Sequence, residues 1–284
     1  MAPAPAHGVP TIPLNNGVAI PQLGYGVYQV PPDQTADAVT TALEVGYRHI
    51  DTAEMYGNEK GVGEAVARSG IDRGEIFVTS KLNNGFHRRD DALRAFDQTL
   101  ADLGFDTLDL FLVHWPLPGI DIDYVETWKA MEEIYAGGRC RAIGVSNFNA
   151  SHLRRLFDET GIRPAVNQIE VHPYLAQDDL RAFNAEHEIA TEAWSPIAQG
   201  KVLDDPAIVA IAERLGRTPA QVVLRWHVQR GDVVFPKSSS RERMAENFAL
   251  FDFELETGDM AVLTGLDRAE RTGPDPDTFN YIPR

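Results

Sequence analysis

The feature that most constrains this chain is an alternation. Short runs rich in β-branched, aliphatic and aromatic residues recur eight times, at 22–28, 47–51, 76–81, 108–114, 141–146, 166–171, 189–194 and 232–237. Most are rich in Val, Ile, Leu, Phe or Tyr, the pattern of strands buried on both faces. Amphipathic stretches lie between them, among them 35–45, 89–103, 125–136, 150–159, 177–186 and 206–215. Thr218-Pro219 supplies an N-cap and a first-turn proline for another helix over 219–230. That helix has no strand of its own and reads as an insertion before the eighth strand. Helices near 241–249 and 259–266 follow. With no Gly/Ser linker or composition break, eight β–α units predict a closed (β/α)8 barrel, one domain over 1–284. A doubly wound sheet is the alternative, but Gly24-Tyr25-Gly26 and Gly61-Val62-Gly63 both lack the third glycine of a dinucleotide-binding turn. Ahead of the strands, Asn15-Asn16-Gly17 between two apolar segments predicts a hairpin over 10–20, capping the barrel. The end of the chain, 268–284, reads as an irregular, proline-bearing tail.

Charge narrows the partners. The chain carries a formal net charge of −16. Nucleic acid and anionic membrane both require basic footprints, so neither is expected as a partner. An anionic ligand can bind only where cations are gathered locally. Cys140 is the one cysteine, which excludes an internal disulfide framework and CxxC metal or redox motifs and suits a reducing cytosol. Met1-Ala2-Pro3-Ala4-Pro5 lacks the basic and apolar regions of a secretory signal. No apolar run approaches the ~20 residues of a membrane span. A cytoplasmic monomer is expected.

In a barrel the chemistry sits at the C-terminal strand ends. Here the second strand runs into Asp51, with Tyr56 five residues on; the third ends on Lys81 and the fourth on His114. Each alone is ordinary: an aspartate is commonly a cap, a lysine a solvated loop residue, a histidine a structural one. Closure of a barrel would gather all four around one mouth. Together they suit proton delivery to an oxygen gaining negative charge. Tyrosine titrates near ~10, and a neighbouring lysine cation favours tyrosinate. An aspartate holds the lysine, and a histidine N–H can bind a carbonyl oxygen. No activated nucleophile and no metal motif is present. A proton donor to a carbonyl oxygen needs a partner that attacks the carbon, and hydride from a nicotinamide fits. Ser146, Asn147 and Gln168 could bind its carboxamide, and Trp194 could stack on its ring. Lys237, Arg241 and Arg243 form a basic cluster where strand eight meets a helix, a natural phosphate site, although Glu242 and Glu246 interleave it as on a solvated face.

Three segments resemble the aldo-keto reductase family. Gly46-Tyr47-Arg48-His49-Ile50-Asp51-Thr52-Ala53-Glu54-Met55-Tyr56-Gly57-Asn58-Glu59 is similar to its first signature. Arg141 to Phe148 resembles its strand-five motif, and Pro236-Lys237-Ser238 with Arg243, Glu246 and Asn247 resembles its adenosine-phosphate motif. The resemblance runs from the hairpin to about Asp267. It implies a hairpin-capped barrel with two extra helices, binding extended NADPH without a separate nucleotide domain. It implies a tetrad of Asp51, Tyr56, Lys81 and His114 with Tyr56 as general acid. Members that reduce steroid double bonds carry glutamate at the place of His114, so carbonyl reduction is implied. Cofactor contacts are implied for Ser146, Asn147, Gln168, Trp194, Ser195, Lys237, Ser238, Arg243 and Asn247. The short tail and Trp194 look most like the bacterial 2,5-diketo-D-gluconate reductase branch. Tyr25, Tyr28, Asn84 and Trp115, with the tail beyond Pro274, are expected to line a pocket for a small carbonyl substrate, a keto-sugar or an α-dicarbonyl. A non-catalytic nicotinamide-binding barrel with a regulatory or structural role is the alternative. Cys140 and His172 are read as structural.

Overall fold

The structure, a computed structural model, describes residues 8–283. The N-terminal segment read against a secretory signal lies outside them. Strands β1 (Thr11–Pro13) and β2 (Ala19–Pro21) form the antiparallel hairpin. Eight parallel strands then alternate with helices: β3 (Tyr25–Gly26), β4 (His49–Asp51), β5 (Phe77–Leu82), β6 (Leu108–Val113), β7 (Cys140–Ser146), β8 (Val166–Glu170), β9 (Ala190–Trp194) and β10 (Val233–Val234). Each pairs with its sequence neighbour in parallel register. Closure comes from the ends of the series. Gly24 N donates to Val234 O at 2.7 Å and Val234 N to Gln22 O at 3.0 Å, with Leu23 bridging Val234. The first and last strands are far shorter than the runs predicted for them, because only a few of their residues have strand partners. Leu14 and Ile20 of the hairpin pack on Phe77, Leu110, Leu112 and Val166, plugging the N-terminal end of the barrel.

The helices are α1 (Pro32–Val45), α2 (Glu59–Arg68), α3 (Arg89–Leu103), α4 (Tyr124–Ala136), α5 (Ala150–Glu159), α6 (Asp178–Glu186), α7 (Pro206–Leu215), α8 (Pro219–Arg230), α9 (Arg241–Phe248) and α10 (Thr257–Thr264). Two differ from expectation. The insertion is α7 and not α8: α8 packs on β10, whereas α7 packs on α8 and α10. Helix α2 is not among the amphipathic stretches read from the sequence, since Gly61 and Gly63 weaken a helical pattern. Both glycines are there for close approach. A Cβ on Gly63 would lie 2.0 Å from Leu103 O and one on Gly61 2.8 Å from Thr35 Cβ, so α2 nests against α1 and the end of α3.

Candidate active site

Strand ends β4, β5 and β6 bring the predicted quartet to one mouth. Asp51 ends β4, Tyr56 lies in a short 3-10 turn after it, Lys81 lies on β5 and His114 follows β6. Lys81 is fully buried, and its Nζ donates to Asp51 Oδ1 at 2.7 Å and Thr52 O at 2.8 Å. Its charge also lies 5.1 Å from the centre of the Tyr56 ring. The His114 ring meets Tyr56 edge-on, with centroids 5.9 Å apart.

The electrostatics follow from dryness. Burial opposes a charge on Lys81, yet Asp51 and Tyr56 raise it above the usual lysine range, so it stays a cation. Burial drives His114 well below the usual histidine range, with Lys81 pushing the same way, so the imidazole is neutral. Tyr56 reverses the expected net shift. Lys81 does pull the phenol down, but burial outweighs it and pushes Tyr56 up to about 12. The phenol is therefore protonated at neutral pH, as a proton donor must be.

Behind this group, Gln168 on β8 donates one amide nitrogen to both Asp51 Oδ2 and Glu192 Oε2, each at 2.8 Å. Glu192, fully buried on β9, carried no signal of its own in the sequence. It lies inside an apolar strand, and only the barrel's curvature turns it toward Asp51. Ser146 Oγ donates to Gln168 O at 2.9 Å. Asn147 Nδ2 donates to His114 O at 3.0 Å, and Trp194 Nε1 donates to Asn147 Oδ1 at 2.8 Å. Asn147 and Ser195 both hold left-handed backbone, with φ of 64° and 48°. Such conformations are costly outside glycine and gather at binding sites. Ser146, Asn147, Gln168 and Trp194 thus form one hydrogen-bonded unit beside the quartet.

The second group lies outward. Lys237, Ser238, Arg243 and Asn247 line a groove of about 440 Å³, with Ile197, Leu203, Thr218 and Glu246. Lys237 and Arg243 are exposed and make no ion pair among the described residues. Arg241, grouped with them by sequence, instead pairs with Glu44 on α1 at 2.5 Å. Ser240 caps α9, accepting from Arg243 N. Two uncommitted cations, hydroxyls and a helix N-terminus suit a phosphate in an otherwise acidic protein. The described residues hold no cluster of metal ligands.

The pocket candidates separate. Tyr28 is 57 % exposed and lies on Tyr56, with centroids 5.1 Å apart. Tyr25 is fully buried and donates to Ser238 O at 2.6 Å, bracing the outer groove. Asn84 Nδ2 donates to Tyr281 O at 2.8 Å, and Trp115 packs on Phe279 at 4.3 Å, so both meet the C-terminal tail. That tail is irregular as expected, but it is anchored. Glu170 Oε1 accepts from Thr272 N and Oγ1, both at 2.5 Å, and is held by His172 at 3.1 Å. Gly273 runs against the Trp194 indole, where a Cβ would meet Cη2 at 2.4 Å. Cys140 is buried and its thiol is pushed up to about 12, consistent with an inert packing role.

Fold and site define a barrel enzyme with its chemistry at the C-terminal mouth. Comparison with known proteins specifies which. The Aldo/keto reductase family matches residues 20–268. An aldo-keto reductase of Mycolicibacterium smegmatis is 52% identical over 272 residues, covering 96% of this chain and 98% of that one. Methylglyoxal reductase DkgA of Escherichia coli is 48% identical over 270 residues, covering 94% and 97%. Among solved structures, a mutant of Gox0644 in complex with NADPH superposes with a TM-score of 0.92 at 46% identity, covering 96% and 99%. A Bombyx mori aldo-keto reductase in complex with NADP gives 0.89 at 37% identity, covering 95% and 96%. This chain belongs to the aldo/keto reductase family and is a carbonyl-reducing oxidoreductase.

Proposed function

We propose that this protein reduces small aldehydes and ketones, α-dicarbonyls foremost, with NADPH, and that Tyr56 is the general acid. The buried Lys81–Asp51 pair beneath the Tyr56 ring carries the reading. NADPH, when bound, supplies hydride to the carbonyl carbon. The chain's own residues do the rest. Tyr56 gives its phenolic proton to the carbonyl oxygen as negative charge builds there. Lys81 stabilises the tyrosinate left behind, and Asp51 with Thr52 O fixes the lysine in place. Neutral His114 orients the carbonyl oxygen without competing as an acid. The unit of Ser146, Asn147 and Gln168 holds the carboxamide, Trp194 and Ser195 form the wall beside it, and Lys237, Ser238, Arg243 and Asn247 hold the adenosine phosphate. Tyr28 and Trp115 frame an aromatic opening that the tail narrows through Phe279, which suits a small, partly apolar substrate. The similarity to methylglyoxal reductase DkgA supports the dicarbonyl class. The test is NADPH oxidation across a panel of methylglyoxal, larger dicarbonyls, keto-sugars and aromatic aldehydes. Turnover is expected, highest with the small dicarbonyls; a panel without turnover would return the barrel to a binding role.

A further inference from the structure

Around Gln168 the barrel interior brings together two carboxyl groups, Asp51 and Glu192, and one cation, Lys81. Asp51 is met by two donors, Lys81 and Gln168. Glu192 is met by one, the same Gln168 nitrogen, and its Oε1 has no hydrogen-bond partner. His49 Nε2 lies 3.8 Å from that Oε1, but it also meets Thr79 Oγ1 at 3.1 Å, and burial drives the imidazole down to about 3. His49 is therefore neutral and cannot balance a charge on Glu192. On β10 the register partner is Val233, which brings no charge. Lys81 is the remaining cation, already committed to Asp51. A dry carboxylate with a bare oxygen is strongly disfavoured, and a proton removes the charge that makes it so. Asp51, the carboxyl met by two donors and by the cation, keeps its charge, and the other takes the proton. Burial and the neighbouring Asp51 charge push Glu192 up to about 8, in agreement with this count.

We propose that Glu192 is a positioning residue: held as a neutral acid, it fixes the Gln168 amide, which steadies Asp51 from behind and is left with only Oε1 free. The amide cannot turn over, because its oxygen would then face the Asp51 carboxylate. A free, oriented Oε1 accepts a hydrogen bond from an amide N–H, the chemistry of a carboxamide. This rests on the reading above that Gln168 meets the nicotinamide carboxamide.

The experiment compares wild type with Glu192→Gln, which keeps an acceptor for Gln168, and Glu192→Met, which keeps bulk but offers none. An infrared difference spectrum between wild type and Glu192→Gln at neutral pH should show a protonated-carboxyl band that the variant lacks. NADPH affinity, read by fluorescence quenching, should stay within about twofold in Glu192→Gln and weaken about tenfold in Glu192→Met, the worth of one oriented hydrogen bond. The kcat should drop in Glu192→Met alone. Absence of the band overturns the proposal, as does wild-type NADPH affinity in a folded Glu192→Met. So does a Glu192→Gln protein as impaired as Glu192→Met. Should Glu192→Met not fold, the band and the Glu192→Gln affinity decide. If wild type turns over dicarbonyls while Glu192→Met matches it, the positioning role alone fails and the proposed function stands.

Discussion

The inner quartet and the outer groove hold charge in opposite ways. Lys81 is fully buried, saturated by Asp51 and Thr52 O, and fixed before any ligand arrives. Lys237 and Arg243 are exposed and unpaired among the described residues, so their geometry is completed by whatever anion they meet. The inner group suits a task in which charge develops during reaction, since pre-placed dipoles and charges in a dry site need no reorganisation. The outer one suits capture of a ligand already charged, where mobile side chains in water are adequate but screened by salt.

Four experiments press on that contrast. The largest effect is expected inside. Tyr56→Phe removes one hydroxyl and should lower kcat by about 10²–10⁴-fold while NADPH affinity survives. Near-normal kcat with a raised KM would move the proton donor elsewhere. Because burial holds Tyr56 protonated up to about 12, the wild-type reduction rate should not lose its acid between neutral and mildly alkaline pH.

Next is the dry interior as a source of pH-dependent stability. Glu59, on α2, accepts from Ser80 Oγ at 2.5 Å, and burial pushes its carboxyl from 4.5 up to about 7. A raised acid binds its proton more tightly in the folded chain, so this group's contribution to stability declines as pH rises through that window. The span corresponds to roughly 3 kcal/mol at 1.36 kcal/mol per unit. Denaturant midpoints at pH 5 and pH 8 should converge in Glu59→Gln relative to wild type. An unchanged gap would place the titration on another group.

In the outer groove, Lys237→Met removes one charge-assisted contact, worth roughly 1.5–3 kcal/mol, and should weaken NADPH by about 10–10² while sparing NADH. Equal losses for both cofactors would mean that Lys237 does not meet the distinguishing phosphate. The smallest effect is that of salt. NADPH affinity should weaken as ionic strength rises from ~0.01 to ~0.15 M, whereas kcat at saturating cofactor should hold, because the Debye length shrinks from about 30 to 8 Å at the rim and the interior is shielded. A kcat that tracked salt would show that the inner charges are not dry.

Much of this was legible along the chain. The eight β-rich runs needed only periodicity, and Asp51, Lys81 and His114 stood out because polar residues ended apolar strands. Glycine was harder to read. Gly61 and Gly63 weaken the pattern of α2 for a reason visible only in space: a Cβ would strike Thr35 at the first and the backbone of Leu103 at the second. Which of α7 and α8 is the insertion does not follow from the sequence, because a strong N-cap shows where a helix starts, not what it packs against. Arg241 joined a basic cluster by proximity in sequence, but its side chain leaves for Glu44.

The sequence by itself determined the repeat, the hairpin and the residue types at the mouth, since these follow from local pattern and from the short distance between a strand and its end. Only tertiary structure decided how those groups are charged. Lys81 was expected to lower Tyr56, and it does pull that way, yet the phenol rises to about 12 because desolvation depends on what surrounds a group from every direction. Gln168 and Glu192 make the same point. They lie twenty-four positions apart on adjacent strands and join Asp51, 117 positions from Gln168, through one nitrogen. Closing the barrel created that contact, and no spacing along the chain encodes it.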